Sequence, residues 1–357
     1  MTTSSRPYDL IIFDLDGVIT TERIYWECAR LTLWELLYLR LQGVEPYIAA
    51  VHNTAAREQI LPDAAIFEVK NRAVNSNWDL TFLAACAMLS SLSELPARVR
   101  GIESVEDLLD ALHVASLEPL LWPEPLWNFL ETSGKRRGQE LLSYAGRLSA
   151  EAAGMPPVLF EPFGEWWQYL YQRFQGWYSG LLMGVWGATP LTETPVLPVS
   201  NLRDVLQALR DAGYTLGIAT GRPRNEMLYP LRSFKLLAYF DPQRIVTYTE
   251  VEAAQSAYGG VFGKPHPYAI RRALHPQASD TDLLTGSGYL PPVTALVIGD
   301  SPSDALAARS AGAACLGVLS GVNGESAHRE RRHALLNAGC VDVVDDVTAV
   351  LPWLRER

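Results

Sequence analysis

The residues best suited to chemistry in this chain are Asp14, Leu15, Asp16 and Gly17, which follow the apolar run Leu10-Ile11-Ile12-Phe13. A short run without a polar residue reads as a strand buried on both faces, as inside a parallel sheet. It ends in two carboxylates one residue apart, then a glycine that lets the backbone turn sharply. Ligand sites of open α/β sheets lie beyond the carboxyl ends of the strands. There Asp14 could attack as a nucleophile or hold a metal, and Asp16 could move a proton. A strand and a polar turn explain the same residues, because Asp and Gly are ordinary turn formers. The choice rests on whether matching parts recur at later strand ends.

Three later elements have that form. Leu216-Gly217-Ile218-Ala219 ends in Thr220-Gly221-Arg222-Pro223, where a hydroxyl and the backbone N–H groups of a helix start suit an anion. A cap and turn is the plainer reading of the same residues. In Gly263-Lys264-Pro265-His266-Pro267 the prolines stiffen the segment, so Lys264 is a positive charge on a restrained stem that could offset a phosphate and an aspartate together. A solvated surface lysine is its alternative, and His266 reads as structural. Last, Ala295-Leu296-Val297-Ile298-Gly299 leads into Asp300, at a strand end beside the place expected for Asp14. Magnesium takes oxygen ligands, keeps several waters and often uses one or two carboxylates with a substrate phosphate. Ser301, Pro302 and Asp304 fit the first positions of a capping box, so Asp304 is a helix cap, a support for the metal ligands, or both.

The elements that must position these residues follow from the pattern around them. At 357 residues the chain is longer than one core usually serves, and two domains are expected. From about Thr21 to Glu193 the apolar spacing is helical, and nine of the ten tryptophans lie there. Thr192-Glu193-Thr194-Pro195-Val196-Leu197-Pro198 reads as a linker, since proline cannot sit inside a helix. Beyond it, strands and helices alternate. Ser200 is expected to cap a helix that Gly213 stops, strands are expected at Tyr214–Ala219, Ile245–Tyr248, Val293–Ile298, Ala314–Val318 and Val341–Val344, and a helix from Pro302 to Ala311. The expected architecture is an α/β, Rossmann-like three-layer core with a parallel sheet, made of residues 1–20 and 197–357, with an all-α domain inserted at 21–196.

A net charge of −10 argues against nucleic acid or an anionic membrane as partner. Phe174–Thr192 has no charged residue, but its four glycines and Pro190 read as buried or loop-rich structure rather than a membrane span. Four well-separated cysteines without a C-x-x-C pair suit reduced thiols in a cytoplasmic protein, and no signal peptide is read in the polar Met1–Pro7.

Taken in order, Asp14-x-Asp16-Gly17-Val18, Thr220, Lys264 and Gly299-Asp300-x-x-x-Asp304 resemble the four motifs of the haloacid dehalogenase superfamily. That resemblance implies Mg²⁺ and phosphoryl transfer through an aspartyl-phosphate. Asp14 would be the nucleophile, and Asp16 the general acid and base, its backbone carbonyl also meeting the metal. Thr220 and Lys264 would bind phosphate, Asp300 would be a metal ligand and Asp304 its support. The presence of Asp16 points to phosphate ester chemistry, because members that cleave carbon–halogen bonds need no acid there. Hydrolysis of a small phosphorylated metabolite is expected. A sugar-phosphate mutase is the alternative, since Gly17-Val18-Ile19-Thr20 also resembles the start of hexose-phosphate mutases. A non-catalytic relative is a further rival, opposed by every motif position being filled.

The insertion is far larger than the compact helical cap such members commonly carry. Its densest polar cluster, Lys70 to Asp79, resembles a cap segment of some phosphoglycolate-phosphatase-like members. Lys70, Arg72, Asn75 and Asn77 are therefore substrate-contact candidates, against the alternative of a polar loop between helices. Gly221, Arg222 and Arg224, just past Thr220, are candidates for an anionic substrate, and Trp166 and Trp167 read as core of the inserted domain.

Overall fold

The computed structural model describes residues 6–37, 49–74, 76–92, 102–114, 123–286, 293–321 and 325–357. The chain divides into two compact units, one of Met1–Glu22 with Glu193–Arg357 and the other of Arg23–Thr192. The few residues on either side of the insertion group with the first unit because they bind each other. Thr20 bridges Pro195, Thr21 N–H donates to Thr194 O at 2.8 Å, and Val196 N–H donates to Ile19 O at 3.0 Å.

The first unit is built on six parallel strands, β1 (Leu10–Phe13), β2 (Thr215–Ala219), β3 (Ile245–Val246), β4 (Ala295–Gly299), β5 (Ala314–Val318) and β6 (Asp342–Val344), in the order β3-β2-β1-β4-β5-β6. The fold is therefore the expected Rossmann-like α/β sheet. Strand β1 is buried throughout, as its unbroken apolar run requires. Its register fixes the edge where the motifs emerge, because Phe13 lies opposite both Ile218 of β2 and Ile298 of β4. The strand order reverses at β1 and β4, and such switch points open a crevice at the strands' carboxyl ends. Asp14 and Asp300 leave the sheet there.

The helix expected to be capped by Ser200 starts two residues earlier, at Val199 (α5, Val199–Asp211), with Pro198 as its cap. Proline's fixed φ is already compatible with helix entry, so a Ser one position inside is not needed as the cap. The stop is as read: Gly213 is left-handed at φ 86°, and its N–H and that of Tyr214 bond back to Arg210 O and Leu209 O.

In the second unit the described residues form helices and turns without a strand. Its longer helices include α1 (Arg23–Trp34), α2 (Asn77–Ser90), α3 (Gly138–Ala153) and α4 (Glu165–Tyr178). Helix α2 is buried from Leu80 to Leu89, the signature of a helix enclosed on all sides. Trp34, Trp166 and Trp177 are fully buried in this core, and Trp167 is buried with its indole N–H on Asp79 at 2.8 Å. The uncharged stretch from Phe174 breaks at Gly180, which is left-handed at φ 79°. Among the described residues no helix is long and apolar enough to cross a membrane.

Candidate active site

Asp14 follows β1 directly, and its N–H donates to Ile298 O of β4 at 2.9 Å, which ties the two strand ends together. Gly17 then turns the chain at φ 71°. Nothing but glycine fits, since a Cβ on Gly17 would stand 2.1 Å from Asp300 Oδ2. One carboxylate oxygen from each of Asp14, Asp300 and Asp304 comes together, all within 4.8 Å of one another. Lys264 enters this group, its Nζ 2.9 Å from Asp14 Oδ1 and 2.6 Å from Asp304 Oδ1. Asp304 thus does two things. Its Oδ2 accepts from the Ser301 N–H and hydroxyl in the expected capping box, while its Oδ1 holds Lys264.

The electrostatics follow from burial and crowding. Burial pushes Asp14 up to about 7, with Asp304 and Asp16 adding to the rise and Lys264 opposing it. Burial likewise raises Asp300 well above the ordinary carboxylate range, against the nearby Arg331. Burial alone would lower Lys264, but Asp14 and Asp304 outweigh it and hold the ammonium charged. Two of the three carboxylates share one lysine, and every donor in the group is a hard oxygen. That set fits a small divalent cation such as Mg²⁺, whose charge would reverse the upward shifts.

Thr220 is buried at the carboxyl end of β2. Its N–H donates to Val246 O at 3.0 Å, and its hydroxyl accepts from the Arg222 N–H at 3.2 Å, which closes the turn. A Cβ on Gly221 would meet nothing within 4 Å, so the backbone there is open to approach.

Arg222, a candidate for an anionic substrate, is held inside the protein. Its side chain is 1% exposed and turned inward, where Nε donates to both Asp16 carboxylate oxygens at 3.1 Å and Nη2 donates to Asp16 Oδ1 at 2.6 Å. The far side of the guanidinium holds Glu193. A buried cation needs its charge matched, and two acids match it; it is not an exposed ligand for a substrate. Arg224 pairs with Glu250 at 2.7 Å.

In the inserted unit, Arg72 is likewise used locally, with Nε on Glu68 at 2.8 Å and Nη1 on Ser133 Oγ at 2.7 Å. Asn77 is the first residue of α2, behind the Ser76 cap, and Lys70 lies in the last turn of the helix Asp63–Asn71. Asn75 lies outside the described residues.

Sequence reasoning passed over four contributors. Ser320 Oγ donates to Gly17 O at 2.6 Å, a Cβ on Gly321 would stand 2.5 Å from Asp300 Oδ2, and Arg331 donates to Asp300 O at 2.8 Å. Glu193 is the fourth. Ser320 and Gly321 follow β5, so a search of every strand end would have found them; Glu193 and Arg331 carry no such signal.

Known proteins resemble this chain. One curated relative is the pyrophosphatase PpaX of Bacillus pumilus, 32% identical over 132 residues, a match spanning 37% of this chain and about half (51%) of that relative. A crystal structure solved as a structural-genomics target superposes with a TM-score of 0.72 at 25% identity, over 98% of each chain. A haloacid dehalogenase family hydrolase from Deinococcus radiodurans, solved with phosphate and sodium, is 19% identical with a TM-score of 0.43 over 98% of each chain. Residues 8–312 match the haloacid dehalogenase-like hydrolases, from before the first carboxylate to past the last. The chain belongs to the haloacid dehalogenase-like hydrolase family, with a helical unit inserted between β1 and β2.

Proposed function

We propose that this protein is a Mg²⁺-dependent phosphatase that hydrolyses a small phosphorylated metabolite through a phosphorylated Asp14. The observation that carries the reading is the meeting of Asp14, Asp300 and Asp304 around Lys264 at the switch point of the sheet. Asp14 and Asp300, with the main-chain carbonyl of Asp16, would hold the metal, and Asp304 would support them. Bound there, Mg²⁺ supplies charge neutralisation to the phosphoryl oxygens.

The chain's own residues perform the rest. Asp14 attacks phosphorus, and a carboxylate nucleophile divides the hydrolysis into two easier steps. Lys264 keeps Asp14 oriented and offsets charge on the phosphoryl group. Thr220 and the backbone at Gly221 receive its oxygens. Asp16 gives a proton to the leaving oxygen, then takes one from the water that attacks the phosphorylated Asp14. Substrate choice falls to the inserted unit, where Lys70, Asn75 and Asn77 are the polar candidates. The four buried cysteines, all outside disulfides, agree with a reducing, cytoplasmic setting.

The likeness to PpaX favours a second reading, in which the substrate is inorganic pyrophosphate. Release of phosphate from a panel of phosphorylated sugars, phosphorylated acids and pyrophosphate, with Mg²⁺, separates the two. Phosphate freed from a monoester and lost in Asp14→Asn supports the phosphatase. Isomerised sugar phosphate without free phosphate would instead mean a mutase.

A further inference from the structure

The Arg222–Glu193 pair is closed off from solvent, with side-chain exposures of 1% and 2%, whereas the Asp16 side chain is 21% exposed. One end of this chain of charges is therefore sealed, and the open end is the proton-moving carboxyl. Both ends of Arg222 are fixed: its N–H bonds to Thr220 Oγ1, and its carbonyl accepts from Tyr248 N–H at 2.8 Å. Two of its guanidinium nitrogens meet Asp16, Nε reaching both carboxylate oxygens and Nη2 reaching Oδ1, and Nη2 also donates to Thr20 Oγ1 at 3.1 Å. Thr20 Oγ1 in turn lies 3.3 Å from Asp16 Oδ1. Glu193 takes the remaining edge, so the guanidinium plane cannot turn without leaving one carboxylate unpaired.

We infer that Arg222, backed by Glu193, is a positioning residue that fixes where the Asp16 carboxyl stands for proton transfer. This rests on the reading of Asp16 as acid and base. In the first step the Asp14 O–P bond forms, the P–O bond to the leaving group breaks, and the Asp16 proton passes to the departing oxygen. A lysine at 222 would supply the charge but not the planar fork that bridges two carboxylates.

The test compares kcat/KM for an alkyl phosphate that the enzyme turns over with that for 4-nitrophenyl phosphate, in the full-length protein with Mg²⁺. An alkoxide must be protonated to leave; a nitrophenolate need not be. Because kcat/KM reports steps up to the first phosphoryl transfer, slow hydrolysis of the intermediate does not mask the effect. General acids contribute about 10²–10⁴-fold, so a misplaced one lowers the alkyl-to-aryl ratio by at least about tenfold in Arg222→Lys and about threefold in Glu193→Gln. KM changes little in either. Should Arg222→Lys fail to fold, Glu193→Gln decides, since the amide keeps the size and one acceptor. Equal losses on both substrates overturn the inference, as does a raised KM with kcat kept, which would return Arg222 to substrate binding. Asp16→Asn separates the two layers. If it leaves the ratio unchanged, the acid–base reading of Asp16 fails; if it lowers the ratio while the Arg222 and Glu193 variants do not, only the positioning fails.

Discussion

Replacing Gly17 by alanine probes the packing of the active site more sharply than removing any of its charges. The new Cβ would lie 2.1 Å from Asp300 Oδ2, 2.4 Å from its Cγ and 3.0 Å from its Cβ. Ordinary carbon contacts begin near about 3.5 Å, so the carboxylate must retreat by more than about 1 Å. Gly321 also approaches this carboxylate closely, since a Cβ there would stand 2.5 Å from the same oxygen. An L-residue at φ 71° adds roughly 1–2 kcal/mol of backbone strain. A displacement of about 1 Å in a reacting group costs on the order of 100-fold in rate. Gly17→Ala is therefore expected to lose about 100-fold in kcat and to need more Mg²⁺ for half-maximal phosphate release, while still folding. Phosphate release across a Mg²⁺ titration, with a thermal melt beside it, measures both. A kcat within about threefold of wild type at an unchanged Mg²⁺ midpoint would refute the reasoning.

Burial raises Asp79 to about 6, although Trp167 and Ser76 hydrogen-bond it. A folded-state pKa above the unfolded value means that stability is full below about 4 and falls as pH rises through about 6, by an upper bound of roughly 3 kcal/mol. Asp79→Asn should flatten that fall and be the more stable protein at pH 8; parallel pH–stability curves for the two would count against it. Glu35 is buried and held by Arg173 and by the Trp177 indole N–H at 3.2 Å. Arg173→Leu strands that carboxylate, and urea unfolding should show a loss of about 2–4 kcal/mol, less than the full cost of a wholly buried pair because Arg173 is partly exposed; a loss under about 0.5 kcal/mol would contradict it. Chelation with EDTA should abolish phosphate release, with recovery on added Mg²⁺, whereas turnover that survives exhaustive chelation would remove the metal from the account.

Legibility in the sequence followed distance along the chain. Asp14, Thr220, Lys264 and Asp300 could be read because each follows a local signal, a strand end or a proline-stiffened turn, and the register of β1 with β2 and β4 brings such ends together. The Asp304 capping box was readable for the same reason. The inward contacts of Arg222 were not legible, because its partners lie 206 and 29 residues away, at Asp16 and Glu193, and nothing local marks an arginine after Thr-Gly as turned inward. The contacts of Arg72 were legible only in part: Glu68 is one helical turn away and visible, but Ser133 is 61 residues on. Gly17 was expected to turn the chain, which it does; that it also makes room for Asp300 is a contact across 283 residues that only the folded chain reveals.

The central claim is that Asp14 accepts the phosphoryl group. It is tested most directly by mixing enzyme with a limiting amount of phosphate-labelled substrate, quenching in acid within the first turnover and mapping the label to peptides. The account predicts an acid-stable, hydroxylamine-labile phosphate on the peptide that holds Asp14, absent from Asp14→Asn. Label on another residue, or released phosphate with no protein-bound label at any time in the turnover, would contradict it.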